Sequence, residues 1–290
     1  MTDTTASAQE PAAAPEAPLP VTIIEPSKGW LALRLGELVA YRELLYFLAW
    51  RDIKVKYKQA LIGVAWTIIQ PVTQMVIFTV IFGRLAKLPS EDVPYALFSF
   101  AALLPWQLFA NSLQHAGTSV VANANLLSKI YFPRLVIPLA SVLTALVDFG
   151  ISLVILLLLM LWYRVPPTWA ILTLPGFLLL ALLTAVGVGL WLSALNVQFR
   201  DVQYAIPFLV QAWMYASPVA YSAQLVPEGP WRIIYGLNPM AGVIQGFRWA
   251  LLGTRPPDQL MFASVGMAIV TFLTGLAYFK HMERTFADVI

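Results

Sequence analysis

Long apolar runs dominate the sequence, and five of them have the length of about 20 residues that a helix needs to cross a bilayer. These runs cover approximately residues 61–82, 95–122, 135–162, 168–195 and 260–280. A sixth run, residues 205–221, lies at the lower limit of that length. The pattern predicts an all-α integral membrane protein with six transmembrane helices, which together form a domain over residues 61–290.

The region 27–60 precedes the first span and differs from it in charge. The sequence is apolar from Trp30 to Trp50, but charged residues such as Arg34 and Glu37 recur too often for a span. We therefore expect a cytoplasmic or interfacial region whose amphipathic helix lies in the membrane surface. Residues 1–26 are rich in Ala, Pro and Thr and contain no apolar run. They predict a disordered tail and not a signal peptide.

A further apolar stretch, residues 231–253, lies between the predicted fifth and sixth spans. The dipeptide Asn238-Pro239 interrupts it, and each half is too short to cross a bilayer. This pattern favours a re-entrant helical pair that dips into the membrane and returns to the same side. The alternative is a seventh span.

The composition agrees with a membrane protein, because 59% of residues are hydrophobic and only 11% are charged. An ordinary soluble domain contains about 25% charged residues. The net charge is +3, but the Lys and Arg residues flank apolar runs, so the charge does not indicate nucleic-acid binding. If the N-terminus is cytoplasmic, about twice as many Lys and Arg residues fall inside as outside. This bias predicts that both termini are cytoplasmic.

Several kinds of chemistry are absent from the sequence. There is no phosphate-binding loop, no paired His and carboxylate spacing and no cysteine. The ionisable residues within the predicted spans are Asp148 and His115, and the sequence does not say whether they meet. Asp148 is either a relay or substrate contact or one partner of an interhelical hydrogen bond. We predict no catalytic residue, no metal site and no cofactor bound by this chain.

Aromatic and amide side chains share one face of the first span. Trp66, Gln70 and Gln74 are four residues apart, so a helix places them in one row. Such surfaces suit sugars, because rings pack on apolar C–H faces and amides bond hydroxyl groups. We predict a substrate path, with ordinary helix packing as the alternative. Its candidate residues are Trp66, Gln70, Gln74, Phe78, Trp213 and Tyr215.

Two predicted cytoplasmic loops mix apolar and charged residues over a helical turn or more, as an element that docks a partner would. The first loop, residues 123–134, contains the candidate contacts Asn125, Ser128, Lys129, Phe132 and Arg134. The second loop, residues 196–202, contains Arg200 and Asp201. The alternative is that both loops are interfacial connectors.

Four segments together resemble the polysaccharide-exporting permeases of the ABC-2 type. The first begins the first span and reads Arg51-Asp52-x4-Tyr57-Lys58-Gln59-x3-Gly63-x2-Trp66-x4-Pro71. The second, after the second span, is Leu127-Ser128-Lys129-x2-Phe132-Pro133. The third is Asn196-Val197-x2-Arg200-Asp201-x5-Pro207, followed by Ser217-Pro218-Val219-x-Tyr221. The fourth is Asn238-Pro239. The resemblance runs in order from about Trp30 to the C-terminus.

This resemblance implies a homodimer of permeases in the bacterial inner membrane, with two ATPase subunits docked below that carry the ATP and Mg. The implied cargo is a glycan on undecaprenyl diphosphate, such as O-antigen or teichoic acid. The resemblance makes the two cytoplasmic loops ATPase-coupling elements. It also suggests that Arg51, Lys54 and Lys58 contact lipid phosphates, and the alternative is that they only anchor the topology.

Two other functions remain open at this stage. A membrane-embedded glycosyl- or acyltransferase would need a catalytic acid or histidine. Within the predicted spans, the candidates are Asp148 and His115. An ion-driven carrier would need several charges within the spans and internal repeats, which the sequence lacks.

Overall fold

The computed structural model describes residues 35–58 and 61–286, and every regular element in these ranges is a helix. The predicted tail 1–26, the start of the interfacial region and Gln59 lie outside the described residues. The helices are α1 (Leu35–Ala40), α2 (Arg42–Lys58), α3 (Leu61–Phe78), α4 (Tyr95–Ala122), α5 (Ala124–Leu127), α6 (Val136–Trp162), α7 (Leu174–Gln198), α8 (Val202–Ala216), α9 (Pro230–Gly236), α10 (Pro239–Leu252) and α11 (Leu260–Met282). A π-helical segment, Thr79–Leu85, continues α3.

Five helical segments are long and apolar enough to cross a membrane. They are Ala65–Leu85, Tyr95–Ala122, Val136–Trp162, Trp169–Gln198 and Leu260–Met282. Each coincides with one of the five long apolar runs, so those five predictions are confirmed. The shorter run forms α8, which has 15 residues. At 1.5 Å per residue α8 is about 22 Å long, against roughly 30 Å for the hydrocarbon core. The sixth span is therefore not confirmed by length.

Helix α4 lies at the centre of the bundle. In its most apolar window 89% of residues are buried, against 17% for the span that contains α3 and 22% for α11. A helix that is apolar on all sides can be surrounded by other helices, and α4 packs against α3, α6, α7, α8 and α10. The helices around it leave large apolar surfaces exposed, as expected where lipid or another chain covers them.

Helices α7 and α11 approach each other backbone to backbone. A Cβ atom on Gly187 would lie 2.7 Å from the backbone nitrogen of Phe272. Gly275 faces the Gly187 carbonyl across the same contact. Small residues at such crossings let membrane helices pack closely, where apolar side chains gain little over lipid.

The chain breaks at Asn238, between α9 and α10, as predicted. The Asn238 side chain accepts a hydrogen bond from the Met240 amide at 3.1 Å and so caps α10. Helix α10 is buried along almost its whole length against α4, α7 and α11. With 7 residues in α9 and 14 in α10, neither helix has the length of a seventh span.

Helix α2 presents apolar residues on two opposite sides. On one side Leu48 and Ala49 pack against Phe132 and the first turns of α6. On the other side Tyr46, Phe47, Trp50 and Val55 are exposed. The charged residues lie between these faces or towards the end of the helix, which suits a helix held between protein and lipid. The region of the predicted interfacial helix is thus helical as α1 and α2, divided at Tyr41, and its place in the membrane surface stays a prediction.

Candidate functional site

The end of α2 and the helices α3, α4 and α6 line a partly open polar cavity of about 290 Å³. Three helical faces converge on it. Gln107, Asn111 and His115 are four residues apart on α4, and Asp148 and Ser152 are four apart on α6. The other lining residues are Lys56, Trp66, Thr67, Gln70, Pro71, Leu104, Leu108 and Phe149. Polar groups from three spans therefore meet at one place within the bundle.

Asp148 is the buried charge of this cavity, with 6% of its surface exposed. One carboxylate oxygen lies 2.5 Å from the Lys56 ammonium, and the other accepts a hydrogen bond from the Tyr57 hydroxyl. A carboxylate at membrane depth is costly unless it is paired, so α2 supplies the compensation. Asp148 therefore forms the interhelical hydrogen bond that was one of its two predicted roles.

Tyr57 remains protonated in this arrangement. Burial and, to a smaller extent, the hydrogen bond to Asp148 together raise the pKa of Tyr57 to about 12. The hydroxyl therefore keeps its proton at neutral pH and donates a hydrogen bond to the carboxylate. Asp148 and His115 both line this cavity. A transferase would need a carboxylate that is free to act as acid or base, but both oxygens of Asp148 are bonded, to Lys56 and Tyr57.

The predicted substrate path separates into exposed and packed residues. Trp66 and Gln70 are exposed and line the cavity. Gln74 is half-buried and accepts a hydrogen bond from Gln107 at 3.4 Å, so it joins α3 to α4. Phe78, in contrast, is buried in the core with its ring against Phe82.

The two path residues on α8 also differ from each other. Trp213 packs its ring edge-on against Phe109 and donates a hydrogen bond to Asn238 at 3.0 Å. Tyr215 is exposed, and its hydroxyl accepts a hydrogen bond from Gln211. The structure thus brings Trp66 and Gln70 together at the cavity, whereas Trp213 is held in helix packing.

The basic residues of α2 face different surroundings. The Arg51 guanidinium bonds Asp52 and, at 3.0 Å, the Asn123 side chain at the end of α4. Lys54 is exposed and lies over the Trp50 ring, and Lys58 is exposed as well. Lys56, which was not among the predicted contacts, turns inward to Asp148. Lys54 and Lys58 are therefore the basic side chains most open to a ligand among these four.

The first predicted coupling loop has an exposed part and a buried part. Asn125, Ser128 and Lys129 are exposed on α5 and the turn after it, next to the exposed residues Ile130 and Tyr131. Phe132 is buried against Leu48 of α2. The exposed part thus directly precedes Phe132, which is packed into the bundle.

The second loop and the chain end lie at the same end of the bundle. The Asn196 side chain donates to the Gly117 carbonyl at 3.2 Å, so the ends of α4 and α7 lie side by side. The Arg134 amide bonds the Glu283 side chain at 3.1 Å, which brings the end of α11 there too. Arg200 and Asp201 are exposed at the turn between α7 and α8. The two predicted loops therefore emerge together.

Among the polar residues of the cavity, sequence reasoning missed Lys56, Thr67, Gln107, Asn111 and Ser152. The spacing of four residues between Gln107, Asn111 and His115 within one span was an available signal, because it places three polar groups on one helical face.

Comparison of the sequence with protein families identifies a known group. Residues 43–252 match the model of the ABC-2 type transporter family. The chain belongs to that family. The match runs from α2 to the end of α10 and includes the cavity and both loops. The predicted resemblance to ABC-2 permeases is therefore confirmed, and the chain is a multi-pass membrane protein.

Individual relatives match over nearly their whole length. The O-antigen export system permease protein RfbA of Myxococcus xanthus is 29% identical over 88% of this chain and 98% of its own. The protein of the same name from Klebsiella pneumoniae is 27% identical over 86% of this chain and 95% of its own. The polysialic acid transport protein KpsM of Escherichia coli is 24% identical over 81% and 91%.

Proposed function

We propose that this chain is the transmembrane permease subunit of an ATP-binding-cassette exporter. It moves a lipid-linked polysaccharide, an O-antigen-like glycan on undecaprenyl diphosphate, from the cytoplasm across the bacterial inner membrane. The observation that carries the proposal is the similarity to O-antigen export permeases over 98% of the length of one relative. The family match and the polar, aromatic-rimmed cavity support a hydroxylated cargo.

The proposed topology has six spans with both termini cytoplasmic, α8 being the fifth span and α9–α10 the re-entrant pair. A 15-residue helix can serve as a span if the irregular backbone after it is shielded and hydrogen-bonded. Arg248 of α10 supplies such bonds, to the carbonyls of Val219 at 2.9 Å and Tyr221 at 3.2 Å. The residues after α8 therefore need no water at that depth.

The proposed assembly contains two copies of this chain and two ATPase subunits, which bind the ATP and Mg. Helix α3 exposes Trp66, Gln70 and Thr73 among apolar residues. Polar and indole groups on an outer face are unfavourable against lipid, so a second copy and a hydrated glycan path between the copies suit this face better. Helix α8 also exposes apolar residues such as Phe208 and Leu209, which a second copy or lipid would cover.

The proposed ATPase contact consists of the exposed loop residues Asn125, Ser128, Lys129, Arg200 and Asp201. Phe132 and Arg134 fix the first loop to the bundle, through α2 and the end of α11 respectively. Arg51 bonds Asn123, so a displacement of the first loop also acts on α2. Lys54 and Lys58, with Arg51 beside them, would contact the lipid diphosphate.

Complementation with a charge-reversed variant tests this function. The chain and its cognate ATPase are expressed in a strain that lacks its own exporter, and surface glycan and ATPase co-purification are measured. Arg200→Glu should insert and fold normally, because an exposed charge contributes under about 1 kcal/mol, yet it should lower export or uncouple ATP hydrolysis. Arg84→Glu, an exposed reversal in the segment after α3, is the matched control and should export normally. Full export by Arg200→Glu with normal ATPase binding would remove this residue from the coupling surface.

A further inference from the structure

The cavity among α2, α3, α4 and α6 has more hydrogen-bonding capacity than helix packing uses. Gln70, Asn111 and Ser152 line it, and among the described residues their side chains make no hydrogen bond to another protein group. Gln107 makes one long bond, to Gln74 at 3.4 Å. Polar groups at membrane depth are costly without partners, so these side chains are suited to bonding whatever fills the cavity.

The charges of the cavity favour a neutral ligand. Lys56 and Asp148 form a pair at 2.5 Å, and their charges cancel. The other polar lining groups, apart from His115, are amides, hydroxyls and the Trp66 indole. Amides and hydroxyls both donate and accept hydrogen bonds. This set matches the hydroxyl groups of an uncharged sugar better than it matches an ion.

The shape of the cavity adds an aromatic surface and a size limit. Trp66 lies at its rim with 60% of its surface exposed. An exposed indole can pack against the C–H face of a sugar ring while its N–H bonds a hydroxyl. The volume of about 290 Å³ is near the lower limit of small-molecule pockets, about 300 Å³. It therefore suits a single ring and not a longer segment.

We propose that this cavity is a subsite for one neutral sugar ring. Gln70, Asn111 and Ser152 bond its hydroxyl groups, and Trp66 packs against its C–H face. Lys56 and Tyr57 keep the Asp148 charge compensated beside it. The inference rests on the proposed function for the identity of the polymer to which the ring belongs, but ring binding can be measured separately from export.

A single reporter thiol tests ring binding directly, because the native chain contains no cysteine. The Ser152→Cys variant is close to isosteric and places the thiol in the cavity. The full chain with its ATPase is placed in lipid nanodiscs, and the rate of thiol modification by a methanethiosulfonate reagent is measured. Methyl glycosides of several neutral sugars serve as probes, with cyclohexanol and a sugar phosphate as comparators. At least one neutral glycoside should slow modification, whereas the comparators should not.

Two further variants separate specific binding from general shielding. Added to the reporter, Asn111→Leu should raise the glycoside concentration for half-protection about fivefold, the effect of losing one net hydrogen bond. Ser141→Ala is the control, because Ser141 is buried on α6, the helix that carries the reporter, and bonds the Ile137 carbonyl outside the cavity. A thiol outside the cavity and both loops, at the exposed residue Arg84 in Arg84→Cys, should react equally with and without sugar.

The proposal is overturned if no neutral glycoside protects the thiol, if cyclohexanol protects equally, or if Asn111→Leu has no effect. Labelling in cells that make the glycan and in cells that do not identifies the source of the ring. Protection only in producing cells assigns it to the exported chain, and equal protection in both assigns it to free sugar. An unprotected thiol in a chain that restores export contradicts the subsite alone. A protected thiol in a chain that fails to restore export contradicts the proposed function alone.

Discussion

The pair between Lys56 and Asp148 gives the sharpest test of the structure. In the Lys56→Met variant the long side chain keeps its packing, but Asp148, with 9% of its side chain exposed, loses the cation that compensates it. Removing one partner of a fully buried pair costs roughly 3–5 kcal/mol. Since 33% of the Lys56 side chain is exposed and Tyr57 still bonds the carboxylate, we expect a smaller loss, of about 2 kcal/mol.

A double-mutant cycle measures this coupling. The variants Lys56→Met, Asp148→Leu and the two combined are compared by thermal unfolding in lipid nanodiscs. Lys56→Met should lower the Tm by roughly 5 °C. The combined variant should recover most of that loss, because replacing both partners by apolar groups leaves no uncompensated charge. Lys54→Met, two residues away and exposed, is the matched control and should change the Tm little.

The reasoning fails on either of two results. If Lys56→Met unfolds at the same temperature as the native chain, Asp148 does not depend on this partner. If the Tm of the combined variant falls by the sum of the decreases in the single variants, the two residues act independently. The ion pair at 2.5 Å would then contribute nothing to stability.

Three further outcomes follow from other contacts. Arg248→Lys should destabilise the protein by roughly 2–4 kcal/mol, because lysine cannot reproduce the three bonds to the carbonyls of Phe98, Val219 and Tyr221; an unchanged unfolding temperature would contradict this. Since the pKa of Tyr57 is about 12 in the folded chain and 10.0 otherwise, its contribution to stability is complete below pH 10 and is lost as the pH rises towards 12. Tyr57→Phe should flatten that alkaline decline in a pH series of unfolding temperatures, and an identical decline would count against the assignment. Trp66→Ala should reduce export without loss of ATPase co-purification. Normal export would instead support the alternative that Trp66 serves only in helix packing.

The spans were predictable because their signal is local. A run of about 20 apolar residues must be helical in lipid, whatever its neighbours are. The break at Asn238 was predictable for a similar reason, because a proline after an asparagine favours the start of a new helix. Helix α8 was harder, since its 15 residues are short for a span and the bonds from Arg248 to the backbone after it are a tertiary contact. No local signal marks the π-helical segment Thr79–Leu85 either.

The site was predictable only in part. Helical spacing alone places Lys54 and Lys58 on one face of α2 and Lys56 on another, so the inward turn of Lys56 could have been anticipated. The partner of Lys56 could not. The meeting with Asp148, 92 residues away, depends on which faces of α2 and α6 oppose each other, and that is a property of tertiary packing.

The two apolar sides of α2 have a practical consequence for work on the purified protein. Its inner side is attached at Leu48 and Ala49, at Arg51 and at Lys56 and Tyr57. Its outer side, with Tyr46, Phe47, Trp50 and Val55, is exposed, so lipid or another chain covers it in the membrane. A detergent micelle replaces an ordered, laterally pressurised layer with a loose one. In detergent the inner contacts alone would then fix α2, so we expect the position of α2, and with it that of the cavity residue Lys56, to depend on the detergent chosen.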